Sequence, residues 1–177
     1  AALTNSSITV TNLIPNHPDS DIVNLMRRMG AKVEVRGEEI HLGGGTLKGI
    51  EVDARDIPDL IPVIAALGCR AWGSTRILKA GRLRLKESDR LSSITEEFRK
   101  FGAQVSEDKE RLTINGPSTL KGVKINPHND HRIAMACAVL GLIAQGTTQI
   151  AGAECVTKSY PGFFEDLHNL GGKVYIE

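Results

Sequence analysis

Aromatic residues make up only 4% of this 177-residue chain: one tryptophan, two tyrosines and four phenylalanines. Large rings therefore cannot dominate the core, and with 18 glycines the packing is expected to be close, with backbone set against backbone. Cysteine is scarce as well. Cys69, Cys137 and Cys155 are odd in number and widely spaced, which leaves neither a disulfide framework nor a paired-cysteine metal knuckle and fits a reducing cytoplasm. No run reaches the ~18 consecutive apolar residues of a membrane span. Ala1 to Ser7 lacks a charged region followed by an apolar one, so neither anchoring nor export is expected. Charge of either sign is not in excess: 22 basic and 21 acidic residues leave a formal net charge of +1, too weak a field to imply nucleic acid or an anionic membrane as partner. Any anion site has to be local.

What the chain does have is 41% apolar content, enough for one substantial core, and an internal repeat. TLKG at Thr46 to Gly49 returns at Thr119 to Gly122, an offset of 73 residues; Leu67-Gly68 matches Leu140-Gly141, and Gly73-Ser74-Thr75 matches Gly146-Thr147-Thr148 at the same offset. MGAKV at Met29 to Val33 is echoed by FGAQV at Phe101 to Val105 and by LGGKV at Leu170 to Val174. This self-similarity divides the chain into units at about 7–80 and 81–151 and a partial third at 152–177. In the first, Ile22, Leu25, Met26 and Met29 fall on one helical face, with Asp19 or Ser20 as cap and Gly30 as stop. A hairpin-like pair follows at Lys32–Arg36 and Glu39–Leu42, then a short strand at Gly49–Val52, a helix from about Pro58 and a strand at Gly73–Leu78. The second unit repeats the order: a helix from about Ser88 to Phe101, strands near Val105, Leu112 and Val123, a helix from about Asp130 to Leu142 and a strand at Thr147–Ile150. The third offers a helix from about Tyr160 to Leu170 and a strand at Lys173–Ile176. Such units cannot each bury their own apolar face, so the expected result is one α/β lobe. Helices apolar on both sides, such as Ile61 to Leu67, belong inside it.

Charged residues gather where helices should begin. Asp59 opens the second helix of the first unit; the position 73 residues later is Arg132, in Asn129 to Arg132 (NDHR). Lys86 to Arg90 (KESDR) opens the second unit's helix, and Lys158 precedes that of the third. Helix starts present unpaired N–H groups and partial positive charge, which suit phosphate and carboxylate. Lys86, Arg90, Arg132 and Lys158, with His131 as a fifth candidate, supply cations against Asp59, Glu87, Asp89 and Asp130; carboxylates held among cations can serve as bases or proton donors. Taken singly, each string has an ordinary role: Ser88 as a helix cap, Asp130 as another, His131 as a structural histidine and Lys158 as a solvated side chain. Their recurrence at corresponding ends of repeated units points to a shared site.

Ile57 to Asp59 (IPD), Arg82 to Leu91 (RLRLKESDRL), Asn129 to Met135 (NDHRIAM) and Thr157 to Leu167 (TKSYPGFFEDL) together resemble, in order and separation, the signatures of the 5-enolpyruvylshikimate-3-phosphate (EPSP) synthase family. The resemblance implies a lobe of repeated βαβαββ units packed around buried helices, the C-terminal one of a two-lobed enolpyruvyl transferase fold. In that family a short segment from the extreme N-terminus completes the lobe, and substrates bind between it and a second, N-terminal lobe, the missing partner here. The implied reaction transfers the enolpyruvyl group of phosphoenolpyruvate to shikimate-3-phosphate by addition and elimination of phosphate, with no metal or organic cofactor. The same resemblance implies that Asp59 contacts the substrate hydroxyls and takes a proton, and that Glu87 protonates the methylene carbon. Lys86 would contact the phosphorylated shikimate, and Arg90, Arg132 and Lys158 would hold phosphoenolpyruvate. Asp130 and His131 would orient them. Arg82 departs from the asparagine or other polar residue of some members. Two alternatives are the sister transferase acting on UDP-N-acetylglucosamine, against which the KESDR, NDHR and TKSYP strings argue together, and a non-catalytic anion-binding lobe.

Overall fold

A computed structural model describes residues 1–14 and 17–176; position 177, which closes the third expected unit, lies outside them. β1 (Ser7–Val10), β2 (Lys32–Arg36) and β3 (Glu39–Gly43) form an antiparallel sheet in the order β1-β3-β2, with α1 (Asp21–Arg28) between β1 and β2 in the chain. β4 (Glu51–Asp53), β5 (Gly73–Leu78), β6 (Gln104–Glu107) and β7 (Leu112–Gly116) form a mixed sheet, β4-β5-β7-β6, in which only β4 and β5 are parallel. α2 (Ile61–Gly68) joins β4 to β5, and α3 (Arg90–Lys100) runs from β5 towards β6. A parallel pair, β8 (Lys124–Ile125) and β9 (Gln149–Ile150), flanks α4 (His131–Gly141) in the chain, and α5 (Phe163–Asn169) follows.

The two helices with apolar residues on every side are the buried ones. In α2 only Val63 reaches appreciable solvent, while Ile61, Ile64, Ala65, Ala66 and Leu67 are enclosed; α4 buries Ile133, Ala134, Ala136, Cys137 and Leu140 and packs against α2. α3 is one-sided. Its Leu91, Ile94 and Phe98, with Phe101 just beyond, have no exposed surface and face the same core.

The 73-residue offset is spatial as well as sequential. Gly49 N–H donates to the Trp72 carbonyl at 2.8 Å and Gly122 N–H to that of Gln145 at 2.7 Å. A Cβ on Gly49 would strike the backbone of Ser74, and one on Gly122 the backbone of Thr147. Glycine is required at both because strand and loop backbones meet there without room for a side chain.

Some expectations shift. Ser20 stands at the cap position of α1 but its side chain caps nothing; a 3₁₀ turn at Pro18–Ser20 precedes the helix, and His17 Nδ1 accepts from the Asp19 N–H at 3.1 Å. Gly30 ends α1 with φ +94°, as anticipated. The strand expected at Gly49–Val52 lies slightly later, at β4, because Gly49 is spent on the close crossing. β1 carries no sequence signal of its own, since its four residues are mostly exposed and lack a buried alternation. Lys173–Ile176 is not a strand: no neighbouring described strand takes its N–H and C=O groups, and Tyr175 and Ile176 are exposed.

Gly49→Ala and Gly122→Ala should each destabilise the chain by about 1–3 kcal/mol through overpacking, read as a lower urea midpoint at unchanged slope. Gly37, whose Cβ would meet nothing within 4 Å but whose φ is +59°, should cost only about 1–2 kcal/mol on replacement by alanine. Equal tolerance at positions 49 and 122 to that of an open surface position would contradict the close crossing.

Candidate active site

The route from β5 to α3 turns tightly. A 3₁₀ turn at Gly81–Leu85 delivers Lys86 to Asp89, and Asp89, not Ser88, caps α3 by accepting the Ser92 N–H at 3.1 Å. Arg84 holds Asp89 in place at 2.8 Å. Asp89 thereby leaves Ser88 free to donate its hydroxyl to Asp130 Oδ2 at 3.2 Å.

Arg90, the first residue of α3, has no exposed side-chain surface. Its guanidinium meets three carboxylates from three segments: Nη1 reaches Asp59 Oδ1 at 2.7 Å, Nη2 reaches Glu87 Oε2 at 2.7 Å and Nε reaches Asp130 Oδ2 at 2.8 Å. Asp130, itself fully buried, also caps α4 by accepting the Arg132 N–H at 3.0 Å. Around this hub lie partly exposed cations. Lys86 Nζ is 3.2 Å from Asp59, and Lys158 Nζ is 3.2 Å from Glu87 Oε1. Arg132 donates to the Asp59 carbonyl at 3.1 Å and approaches its carboxylate at 3.6 Å. Asp59 and Arg132, equivalent positions of the repeat, are thus in direct contact. Beside the Glu87–Lys158 pair opens a hollow of about 460 Å³, lined by these two with Asn129, Cys155 and Thr157.

The structure brings Asp59, Lys86, Glu87, Arg90, Asp130, Arg132 and Lys158 into one ion-pair network. His131 stands apart: it is buried, and its Nδ1 has no hydrogen-bond partner. Arg90 is enclosed by its carboxylates, so it meets a ligand only where one of them yields its place. Asn129, Cys155 and Thr157, which line the hollow, were not singled out in the sequence although each lies within or just before a quoted string. Arg82 donates to the Arg55 carbonyl at 3.3 Å.

Partial burial works to raise the Asp59 carboxyl, but hydrogen bonds from Arg90 and Lys86 and the charge of Arg132 outweigh it and hold it below its ordinary value. Burial likewise opposes, and the Glu87 backbone N–H, Lys158 and Arg90 together reverse, the shift at Glu87, whose carboxyl also sits low. Both are therefore anionic at neutral pH. Burial lowers His131 against the pull of Asp130, so its imidazole is largely neutral at pH 7. Partial burial raises the Cys155 thiol, which leaves it protonated at that pH.

Among the described residues the metal-ligand types Glu96, Glu97 and His128 also cluster. Lys100 Nζ lies 2.7 Å from Glu97 and 3.0 Å from Glu96, so an internal cation already serves both carboxylates.

A family model described as EPSP synthase (3-phosphoshikimate 1-carboxyvinyltransferase) matches residues 1–167. A 3-phosphoshikimate 1-carboxyvinyltransferase of Methanocaldococcus jannaschii is 43% identical over 178 residues, covering 99% of this chain and 42% of the relative. One from Clostridium kluyveri is 44% identical over 156 residues, or 88% of this chain and 37% of the relative. Among solved structures, EPSP synthase from Acinetobacter baumannii superposes with a TM-score of 0.86 at 28% identity, over 97% of this chain and 43% of that one. The chain spans about two fifths of the length of the relatives it matches.

Arg90→Ala should lower folding stability by about 3–5 kcal/mol, because it leaves Asp130 buried without a cation; Arg90→Lys should recover only part of this, having no planar fork for three partners. The acid limb follows from the lowered carboxyls. Their contribution is complete above the unfolded values of about 4 and is lost as pH falls through the lower folded values. Urea midpoints should therefore drop below about pH 4, and the drop should be smaller in the double variant Asp59→Asn, Glu87→Gln.

Proposed function

The chain belongs to the EPSP synthase family, and on that premise we propose that it supplies one lobe, the C-terminal one, of an enzyme that transfers the enolpyruvyl group of phosphoenolpyruvate to the 5-hydroxyl of shikimate-3-phosphate with release of phosphate. The observation that carries the proposal is the meeting of Asp59, Lys86, Glu87, Arg132 and Lys158, from four separate segments, around one buried arginine. An addition and elimination of this kind needs an acid for carbon, a base for oxygen and fixed cations for a carboxylate and a phosphate. That is the inventory at this corner of the fold.

Asp59 accepts the proton of the attacking hydroxyl as its oxygen bonds to the central carbon of phosphoenolpyruvate. Glu87 gives a proton to the methylene carbon. Elimination then returns a methyl proton to a carboxylate and expels phosphate. In the free chain the Glu87 backbone N–H, Lys158 and Arg90 hold its carboxyl low; an incoming anionic ligand competes for the two cations. When the ligand takes Glu87's place on Lys158 Nζ and Arg90 Nη2, Glu87 keeps only its backbone N–H donor, and burial together with the ligand's own negative charge then raises its carboxyl and favours the protonated form. Ligand binding itself then prepares the acid. Arg132 and Lys86 complete the anion contacts, and Asp130, which binds Arg90 and accepts the Arg132 N–H, orients them; His131, which makes no hydrogen bond to any of these side chains, takes no part.

The repeat supports the lobe reading, with units at about 7–80, 81–151 and 152–177. β8 and β9 lie 73 residues beyond β4 and β5, yet β5 carries β7 and β6 on its far side, whereas β9 has no described strand there. A segment from elsewhere in the parent polypeptide completes that sheet, and a second lobe supplies the other wall of the cleft. Alone, the chain is inactive. The three unpaired cysteines fit a cytoplasmic setting, and no helix is long and apolar enough to cross a membrane among the described residues.

In the complete enzyme, Asp59→Asn and Glu87→Gln should each lower kcat by about 10²–10⁴-fold while KM changes only a few-fold. Arg132→Ala should raise KM for phosphoenolpyruvate by roughly 10–100-fold, the loss of one charge-assisted contact. Near-wild-type steady-state kinetics in all three would remove the role assignments.

A further inference from the structure

Glu97 lies two helical turns beyond Arg90 on α3, roughly 10 Å along the axis, and its side chain has no solvent exposure. A buried carboxylate has to be satisfied by hydrogen bonds or paired charge. Three donors do this. Its Oε2 accepts the Asn126 backbone N–H at 3.1 Å, and its Oε1 accepts from His128 Nε2 at 3.0 Å and from Lys100 Nζ at 2.7 Å. The carboxylate can only accept, so Nε2 is the protonated nitrogen of His128.

Two of these donors belong to the turn that leads from β8 into α4. This turn is unusual in placing two consecutive residues with side chains in the left-handed region, His128 at φ 54° and Asn129 at φ 57°, a conformation disfavoured for any residue with a Cβ. Local bonds help: Asn126 Oδ1 accepts the His128 N–H at 3.0 Å and the Pro127 carbonyl accepts the Asp130 N–H at 2.9 Å. The next residues are Asp130, which binds Arg90, and Arg132, which contacts Asp59. The turn is therefore held at both ends by one helix. Glu97, in the middle of α3, grips its entry; Arg90, at the start of α3, grips its exit.

We propose that Glu97 is a positioning residue, which with His128 fixes the left-handed turn at 126–129 and so sets where Asp130 and Arg132 stand in the site. The neighbouring Glu96 and the ammonium of Lys100 complete an anchor; with Lys100 seated at both carboxylates, the grouping of Glu96, Glu97 and His128 works as a clamp and not as a metal site. As a contribution to the reaction this rests on the reading of Asp130 and Arg132 as site residues, but the clamp itself is measurable without any ligand.

The test is hydrogen exchange followed by NMR in this chain at pH 7, comparing wild type with Glu97→Ala and Glu97→Gln. Two protons report on the far end of the clamp: the Arg132 amide, bonded to Asp130, and Arg90 Nε–H. Both should exchange faster in Glu97→Ala by about 10–100-fold, while amides of β7, which report on the whole fold, change far less. Glu97→Gln keeps an oxygen for the Asn126 N–H and should regain roughly half of the lost protection on a logarithmic scale. Wild-type protection at both reporter protons in folded Glu97→Ala would overturn the proposal, as would a uniform loss that includes β7, since that marks a general stabiliser. Where Glu97→Ala does not fold, His128→Ala is read in its place: local loss at the two reporters supports the clamp, and none overturns it. Failure of the enzymatic reading would appear in the kinetics of the Asp59 and Glu87 variants and leave these exchange rates untouched.

Discussion

A guanidinium with no access to water is tolerated only when its charge and its donors are matched, and at Arg90 the matching is done by carboxylates that arrive from distant parts of the chain. Desolvating such a group is expensive, and the surrounding anions offset that cost only in good geometry. The planar fork of arginine allows three partners to be addressed in three directions, which a lysine could not do. Because Asp59 precedes α2, Glu87 precedes α3 and Asp130 precedes α4, satisfying one side chain fixes the relative height of three helix starts. The rest of the site is arranged around that constraint: Arg132 and Lys158 take the oxygens of Asp59 and Glu87 that Arg90 leaves, and Lys86 shares Asp59 Oδ1 with it.

The hub is held in place by an apolar frame. α2 and α4 are short, buried on nearly every side and in mutual contact, so neither can slide without opening the core. Gly49 and Gly122 bring backbone against backbone at equivalent crossings, which holds the strands beside those helices at the same spacing in both copies of the repeat. The equivalence is what brings Asp59 and Arg132, one acidic and one basic, to face each other from matching corners.

Periodicity was sufficient to find what depends on local pattern. The face of α3 formed by Leu91, Ile94 and Phe98, the β2–β3 hairpin and the all-round apolar α2 and α4 follow from spacing and composition alone. The charged strings were legible as site candidates because they recur at helix starts. What could not be read is what depends on contacts across the chain. KESDR does not say that Arg90 turns inward, since that requires Asp59 and Asp130 to be nearby. Ser88 and Asp89 are equally good caps on paper, and Arg84 together with the pull of Asp130 on Ser88 decides between them. Glu97 with Lys100 reads as a solvated i,i+3 pair until the turn at 126–129 covers it. Lys173–Ile176 has the composition of a strand, but a strand exists only where another lies beside it.

Four cations face three carboxylates in the network around Arg90, so the corner carries a single excess positive charge, no larger than the net charge of the chain. Its influence fades within about one Debye length, roughly 8–10 Å at ordinary salt. Beyond that distance the corner is close to neutral, so any attraction it exerts on an anion is confined to the immediate surroundings of the paired groups.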